Sequence, residues 1–185
     1  MTLNSKLRVI GGEWRGRTLR FTAKDGLRPT TDRVRETLFN WLAPRISGAI
    51  CLDLFAGSGA LGLEALSRGA KSCDFVESHR AAAQAIQNHL TLLQATERGR
   101  VINTDALAFT VTYQYDIVFI DPPFADHLHH EALTWLLNNN MLAEDARIYL
   151  EFSDKEPKPS IDTRTRVLRD KKAGQVRYQL LEVSV

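Results

Sequence analysis

Apolar residues recur along this chain with two different periods, and the change from one to the other divides it into segments. LRVIGG (residues 7–12), EWRG (13–16) and RTLRF (17–21) alternate apolar and polar positions around Gly11, Gly12 and Gly16, which predicts two short strands joined through a turn. Arg28-Pro29-Thr30-Thr31-Asp32 then breaks the pattern. Beyond it Val34, Leu38 and Leu42 fall on one helical face, with Thr37 and Trp41 beside them. Thr31 or Asp32 can cap this helix, and Pro44 and Gly48 close it.

From Ala49 short apolar strands alternate with helical patterns. ICLDLF (50–55) leads through a glycine turn to ALGLEALSRG, and CDFVE (73–77) leads to a helix from about Arg80 to Gln94. RVINTD (100–105) is followed by a short irregular stretch, and YDIVFID (115–121) leads to a helix around Glu131 to Leu137 and then to ARIYLEFS (146–153). Strands apolar on both faces and separated by helices predict a parallel sheet with helices covering it. TRVLRDKKAGQVRYQLLEVSV adds an antiparallel pair of strands around Gly174 at the end.

Composition narrows the class. At 185 residues and 44% hydrophobic content the chain can bury a full core, and no eighteen apolar residues run together, so a soluble, cytoplasmic protein is expected. Cys51 and Cys73 sit inside apolar runs and read as reduced core residues. The charge is uneven: residues 1–48 hold ten Lys/Arg against four Asp/Glu, residues 49–150 six against twelve, and the remainder eight against six. A basic extension (1–48) on an acidic body (49–185, its tail mildly basic) suggests two units, the first meeting a polyanion; the plainer reading is a solvated face.

Candidate chemistry begins at Asp53-Leu-Phe55-Ala-Gly57-Ser58-Gly59-Ala-Leu-Gly62, a G-x-G-x-x-G between a strand and a helix, where a ligand can approach the backbone at the helix N-terminus. Glu77 ends the next strand about twenty residues on, placed to hold both hydroxyls of a ribose. This describes an adenosine-type cofactor and leaves NAD and S-adenosylmethionine both open. Asp53 favours the second, because a carboxylate there would oppose a pyrophosphate and suit an ammonium. Asp105 either accepts from an adenine amine or caps the segment that follows it.

IVFIDPPF (117–124) ends an apolar strand on Asp121, Pro122, Pro123 and Phe124. Neither proline donates a backbone hydrogen bond and both stiffen the turn, so the corner offers acceptors followed by an aromatic ring. An exocyclic amine on a nucleobase fits it. Its two hydrogens would go to the Asp121 carboxylate and the Pro122 carbonyl while Phe124 stacks on the base, aiming the nitrogen lone pair at a methyl sulfonium. The plainer reading is an Asp-Pro turn with Phe124 in the core.

The Asp-Pro-Pro-Phe tetrapeptide resembles the signature of amino-group methyltransferases. From LRVIGGEWRGRTL through GLRPTTDRVRETLFNWL, CLDLFAGSGALGLEALSRGA and IVFIDPPF to KKAGQVRYQL, the chain resembles the bacterial small-subunit ribosomal RNA guanine-N2 methyltransferases of the RsmD type. The resemblance implies a Rossmann-like, class I S-adenosylmethionine-dependent methyltransferase fold: a mostly parallel seven-stranded sheet with a terminal antiparallel strand, plus an N-terminal β-hairpin and helix. It implies S-adenosylmethionine held by Asp53, Phe55, Gly57, Ser58, Gly59, Glu77, Asp105 and Asp121, with Arg28, Pro29, Thr30 and Arg33 closing over its methionine end. Ser78 follows Glu77, and His79 stands two places after it, where an acidic or amide residue is expected. The implied partner is ribosomal RNA, within an assembling subunit, acted on by a monomer without metal or membrane.

With that reaction in view, Arg8, Trp14, Arg15, Arg17 and Arg20 become candidate RNA contacts, although Trp14 can equally pack the hairpin on the body. Trp41 and Trp135 sit in helical patterns and read as core. His127, His129 and His130 lie near Asp126 but have no second cluster to complete a metal site, so they read as a loop and helix start bordering the cleft. Rival readings are a DNA amino-methyltransferase, disfavoured by the lack of a target-recognition domain, an NAD-dependent oxidoreductase, and a noncatalytic RNA-binding module.

Overall fold

A computed structural model describes residues 3–23, 31–123, 128–155 and 162–184. Strands β1 (Leu3–Arg8) and β2 (Thr18–Ala23) pair antiparallel as a separate two-stranded sheet. Their connection is broad, because residues 9–17 fold back onto the body rather than turning tightly. Gly12 carries φ 77°, and a Cβ there would stand 1.8 Å from the Ser67 carbonyl oxygen, so only glycine lets the connection approach so closely. Helix α1 (Asp32–Leu42) follows. Its Thr31 cap accepts from the Val34 N–H, and Val34, Leu38 and Leu42 are buried as the spacing predicts, joined by Phe39, while Thr37 and Trp41 are half-buried.

The main sheet contains β3 (Ile50–Asp53), β4 (Ser72–Val76), β5 (Gly99–Ile102), β6 (Tyr115–Ile120), β7 (Leu142–Ser153), β8 (Thr165–Ala173) and β9 (Val176–Val183). Their order in space is β5-β4-β3-β6-β7-β9-β8. All pairs from β5 to β7 are parallel, and β9 runs antiparallel to both its neighbours. The antiparallel strand is therefore last in sequence but not at the sheet edge: the short Gly174 connection makes β9 pair back on β8, and the hairpin docks on β7 through β9. The remaining helices are α2 (Ala60–Ser67), α3 (Arg80–Leu92) and α4 (His129–Asn138), with a 3-10 turn at Ala106–Ala108.

Both faces of the central strands are buried, which is why those strands read as unbroken apolar runs. Cys51, Ile117 and Phe119 look toward β2, α1, α2 and α3; Leu52, Val118 and Ile120 look toward α4. Gly62, in α2, allows the closest helix approach, since a Cβ there would meet the Phe75 ring at 2.3 Å and the Cys73 sulfur at 2.8 Å. Cys51 and Cys73 are free, fully buried and opposite each other on β3 and β4. Burial pushes both thiols far above their ordinary range, in keeping with an inert core role.

The first core cluster also contains Leu7, Val9, Trp14 and Leu19 from the basic arm. The boundary at residue 48 thus marks a change of charge and periodicity, while the apolar side chains on both sides share one core. Among the described residues no helix is long and apolar enough to cross a membrane.

Candidate active site

β3 has β4 on one side and β6 on the other, so the chain order reverses between β3 and β6. At such a switch the loops leaving the two strands part and open a crevice at their C-terminal ends. Asp53 ends β3 there, Glu77 follows β4, and Asp121 follows β6. The Leu54 N–H donates to the Phe119 carbonyl and the Ala56 N–H to the Val76 carbonyl, which ties the start of the glycine loop to both neighbouring strands.

The loop itself is a left-handed turn into a helix. Gly59 caps α2 at φ 78°, and a Cβ there would press within 3.2 Å of Ile86 and Leu63. Asp53, 2% exposed, accepts from the Gly62 N–H at 2.9 Å and so staples strand to helix. Burial, with the charges of Asp121 and Glu77 added, pushes its carboxyl up to about 7 against the opposing pull of that N–H. Glu77 accepts from the Gly57 N–H at 2.8 Å through one oxygen and from the His79 N–H at 2.7 Å through the other. Phe55 and Ser58 are half-buried within the loop. The Asp105 Oδ1 accepts from the Leu107 N–H, which is the capping role, and the residue is exposed three places beyond β5.

At the proline corner Asp121 is half-buried, Pro122 buried and Pro123 exposed. Phe124 lies outside the described residues, as do Arg28, Pro29, Thr30 and His127. Arg33 is exposed in the first turn of α1. A cleft of about 230 Å³ between Arg45, Asp116, Glu144 and Arg147 opens at the opposite edge of the sheet and contains none of these groups.

The family described as Conserved hypothetical protein 95 matches residues 7–182. Ribosomal RNA small subunit methyltransferase D of Escherichia coli is 48% identical over 97% of this chain and 91% of its own length. The protein of the same name from Haemophilus influenzae is 44% identical over 98% and 97%. A solved Escherichia coli structure described as a methyltransferase superposes with a TM-score of 0.88 at 45% identity, covering 97% of this chain and 99% of that one. The chain belongs to this family of small-subunit ribosomal RNA methyltransferases.

The basic arm is latched to α2. Glu64, buried in the middle of that helix, accepts from the Ile10 and Gly11 N–H groups at 2.8 Å each and from the Arg68 Nε at 2.7 Å. Ser67 accepts from the Trp14 N–H and donates to the Gly11 carbonyl. On the other side of the hairpin, His89 of α3 bonds the Arg20 carbonyl at 2.9 Å. Arg8, Arg15, Arg17 and Arg20 are left exposed on this latched frame.

Trp14 corrects the expectation of an RNA-stacking ring. It is 3% exposed, its ring lies under the Arg98 guanidinium at 5.2 Å, and it cannot meet a base from there. The packing reading is the one the fold adopts, because residues 9–17 fold inward and carry the ring with them. Trp41 is half-buried and stacked on Tyr178, and Trp135 is half-buried against the second core.

Several supporting residues carried no sequence signal. Asn103 donates to the carbonyls of Glu77 and Ser78 and so holds the turn that presents Glu77. Arg35 is buried in α1 and donates to the Arg8 carbonyl and to Asp32. Asp32 is a neighbour of Arg35 on the same helix, but the Arg8 carbonyl and the two carbonyls that Asn103 serves lie about 25 residues or more away, where no local spacing could pair them. His129 is buried against Phe152 at the start of α4, while His130 is exposed. Among the described residues no group of three or more His, Cys, Asp or Glu could hold a metal ion.

Proposed function

We propose that this chain transfers a methyl group from S-adenosylmethionine to the N2 amine of a guanine in small-subunit ribosomal RNA. The observation that carries the reading is the convergence of Asp53, Glu77 and Asp121 at the switch point, where burial first, and then the charges of Asp121 and Glu77, push the Asp53 carboxyl up to about 7. A pyrophosphate would be repelled by this group of carboxylates, and a cation is attracted by it, so the donor set fits S-adenosylmethionine and not NAD. The bound cofactor supplies an electrophilic methyl on a positively charged sulfur.

Each residue then has a task. Glu77, with Asn103 steadying its turn, receives the ribose hydroxyls; Gly57, Ser58 and Gly59 let the nucleoside approach the backbone, and Phe55 walls it. Asp105 takes the adenine amine with the oxygen its cap leaves over. Arg28 to Thr30 and Arg33 close over the methionine end. Asp121 and the Pro122 carbonyl hold the two hydrogens of the amine, turning its lone pair toward the methyl, and Phe124 stacks on the base. As the amine becomes positive, the nearby carboxylates stabilise it, and it then loses a proton readily. Arg8, Arg15, Arg17 and Arg20 contact phosphates, and a monomer acting in the cytoplasm on an assembling subunit suits so small a protein surface.

The test is methylation of small subunits and of bare RNA from a strain lacking the enzyme, followed by nucleoside analysis. N2-methylguanosine on subunits in excess of bare RNA is expected; a different methylated nucleoside, or tight NAD binding, removes the reading.

A pH dependence follows from Asp53. Its folded-state pKa stands above the usual 3.8, so the native state binds the extra proton between about pH 4 and 7, and stability from this group falls as pH rises through that window. A bound cation reverses the preference, because it favours the ionised carboxylate. Affinity for S-adenosylmethionine should therefore rise between pH 5.5 and 7.5 with release of a proton, and Asp53→Asn should flatten that rise. Calorimetry in buffers of different ionisation enthalpy checks both; an affinity independent of pH in the parent protein excludes this role for Asp53.

A further inference from the structure

The strand that follows the proline corner carries a second carboxylate at the same level. In the parallel pairing of β6 and β7, Phe119 stands opposite Tyr149 and Ile120 opposite Leu150. One residue further along, Asp121, just past β6, and Glu151, still within β7, follow in the same order on neighbouring strands about 4.8 Å apart. Tyr149 and Phe119 belong to the same core cluster, so the residues two places beyond each of them rise from the same side of the sheet. Glu151 is 4% exposed, and Tyr149, wholly buried, donates its hydroxyl to Glu151 Oε2 at 2.5 Å. Burial, and then the charges of Glu151 and Asp121, hold the Tyr149 phenol well above its ordinary range, so the three groups meet at one place.

Such a burial is costly for a carboxylate unless donors match it. The Tyr149 hydroxyl is one such donor and fixes the rotamer of Glu151. The ligand edge presented here is that of a purine whose 2-amine is held by Asp121. In guanine the atom beside that amine is N1, and it carries a hydrogen. In 2-aminopurine and 2,6-diaminopurine the same amine is present, but N1 bears a lone pair.

We propose that Glu151 is the residue that selects guanine: it accepts the N1–H while Asp121 and the Pro122 carbonyl take the hydrogens of the 2-amine. This rests on the guanine-N2 reading above and deepens it. The selection has a repulsive half, since a carboxylate facing an N1 lone pair disfavours any purine that lacks the N1 hydrogen. Asp121 alone cannot make that distinction, because every 2-aminated purine offers it the same two hydrogens. Tyr149 acts through Glu151 as a positioning residue.

The experiment locates the methylated nucleotide in small subunits, then rebuilds the RNA with guanine or 2-aminopurine at that position and compares kcat/KM for the two. The parent enzyme should favour guanine by about a hundredfold or more. Glu151→Gln can offer an amide N–H to the bare N1, so the ratio should fall by about tenfold or more while KM for S-adenosylmethionine stays within about twofold. Tyr149→Phe keeps the carboxylate but removes its anchor, and should lower the ratio in the same direction; it carries the test if Glu151→Gln fails to fold. A ratio unchanged in the folded variants, with both substrates slowed equally, overturns the role of Glu151 as a selector while N2-methylguanosine formation by the parent leaves the guanine reading standing. Absence of N2-methylguanosine from the parent reaction removes that reading and this inference together.

Discussion

Asp121→Ala should lower methyl transfer by about a thousandfold or more while leaving affinity for S-adenosylmethionine within about threefold. The asymmetry follows from where the carboxylate stands. It leaves the end of β6, beside the glycine loop but with β3 between it and Glu77, so its removal takes an acceptor from the base and none from the ribose. Without it one amine hydrogen goes to water, the nitrogen turns back toward conjugation with the ring, and the lone pair leaves the line of attack. Two electrostatic effects of the loss oppose each other at the cofactor. The site becomes less negative, which weakens attraction to a cation, but Asp53 is also relieved of a neighbouring charge that raises its pKa and ionises more readily. Single-turnover transfer of labelled methyl groups, together with calorimetric binding of the cofactor, separates the two quantities. Full turnover in this variant would mean that the reacting amine sits elsewhere.

Glu64→Ala should cost about 3–5 kcal/mol of folding stability, a loss at the upper end for single substitutions. The carboxylate is wholly buried and serves the Ile10 and Gly11 N–H groups and the Arg68 guanidinium, with Arg35 Nη1 at 3.9 Å. Arg35 is 2% exposed, and its Nε and Nη1 have no hydrogen-bond partner, so without Glu64 a buried cation loses its nearest compensating charge apart from Asp32. Two backbone donors are stranded at the same time. Urea unfolding measures the loss, and Ser67→Ala, which removes one acceptor and one donor on the same helix, should cost about a third as much. Because Glu64 latches the arm but does not touch the glycine loop, RNA affinity in the folded fraction should fall more than cofactor affinity. Equal losses in both would show that α2 itself had shifted.

The basic arm shows how charge and packing divide their work. Arg8, Arg15, Arg17 and Arg20 stay exposed because nothing buried compensates them, and they keep the positive face that composition suggested. Trp14, lying among them in sequence, goes the other way, because its ring gains more from the core than from water. Sequence spacing could not separate the two outcomes. An aromatic between arginines suits either a stacking platform or an anchor, and only the inward fold of residues 9–17, permitted by Gly12 against Ser67, decides it.

Asp74 makes the same point inside the body. In the sequence it is one polar residue within a strand. In the fold it is buried and receives a two-pronged Arg100 guanidinium and the hydroxyls of Tyr113 and Tyr115, joining β4, β5 and the start of β6. Its partners lie 26 to 41 residues away, beyond the reach of any periodicity.

What the sequence determined by itself was whatever depends on neighbours along the chain. Strand and helix periods, a helix cap at Thr31 or Asp32, the glycine turn at the head of α2 and the acceptor-only corner at Asp121 to Pro123 are local steric and hydrogen-bonding facts, written in consecutive residues. What only the tertiary structure decided was which of these local features meet. The reversal between β3 and β6 gathers Asp53, Glu77 and Asp121 and lifts one carboxyl toward neutrality, and the β6–β7 register sets Glu151 beside Asp121. Both depend on strand order and on low-dielectric burial, which arise from the summed packing of the whole chain and leave no mark at any single position.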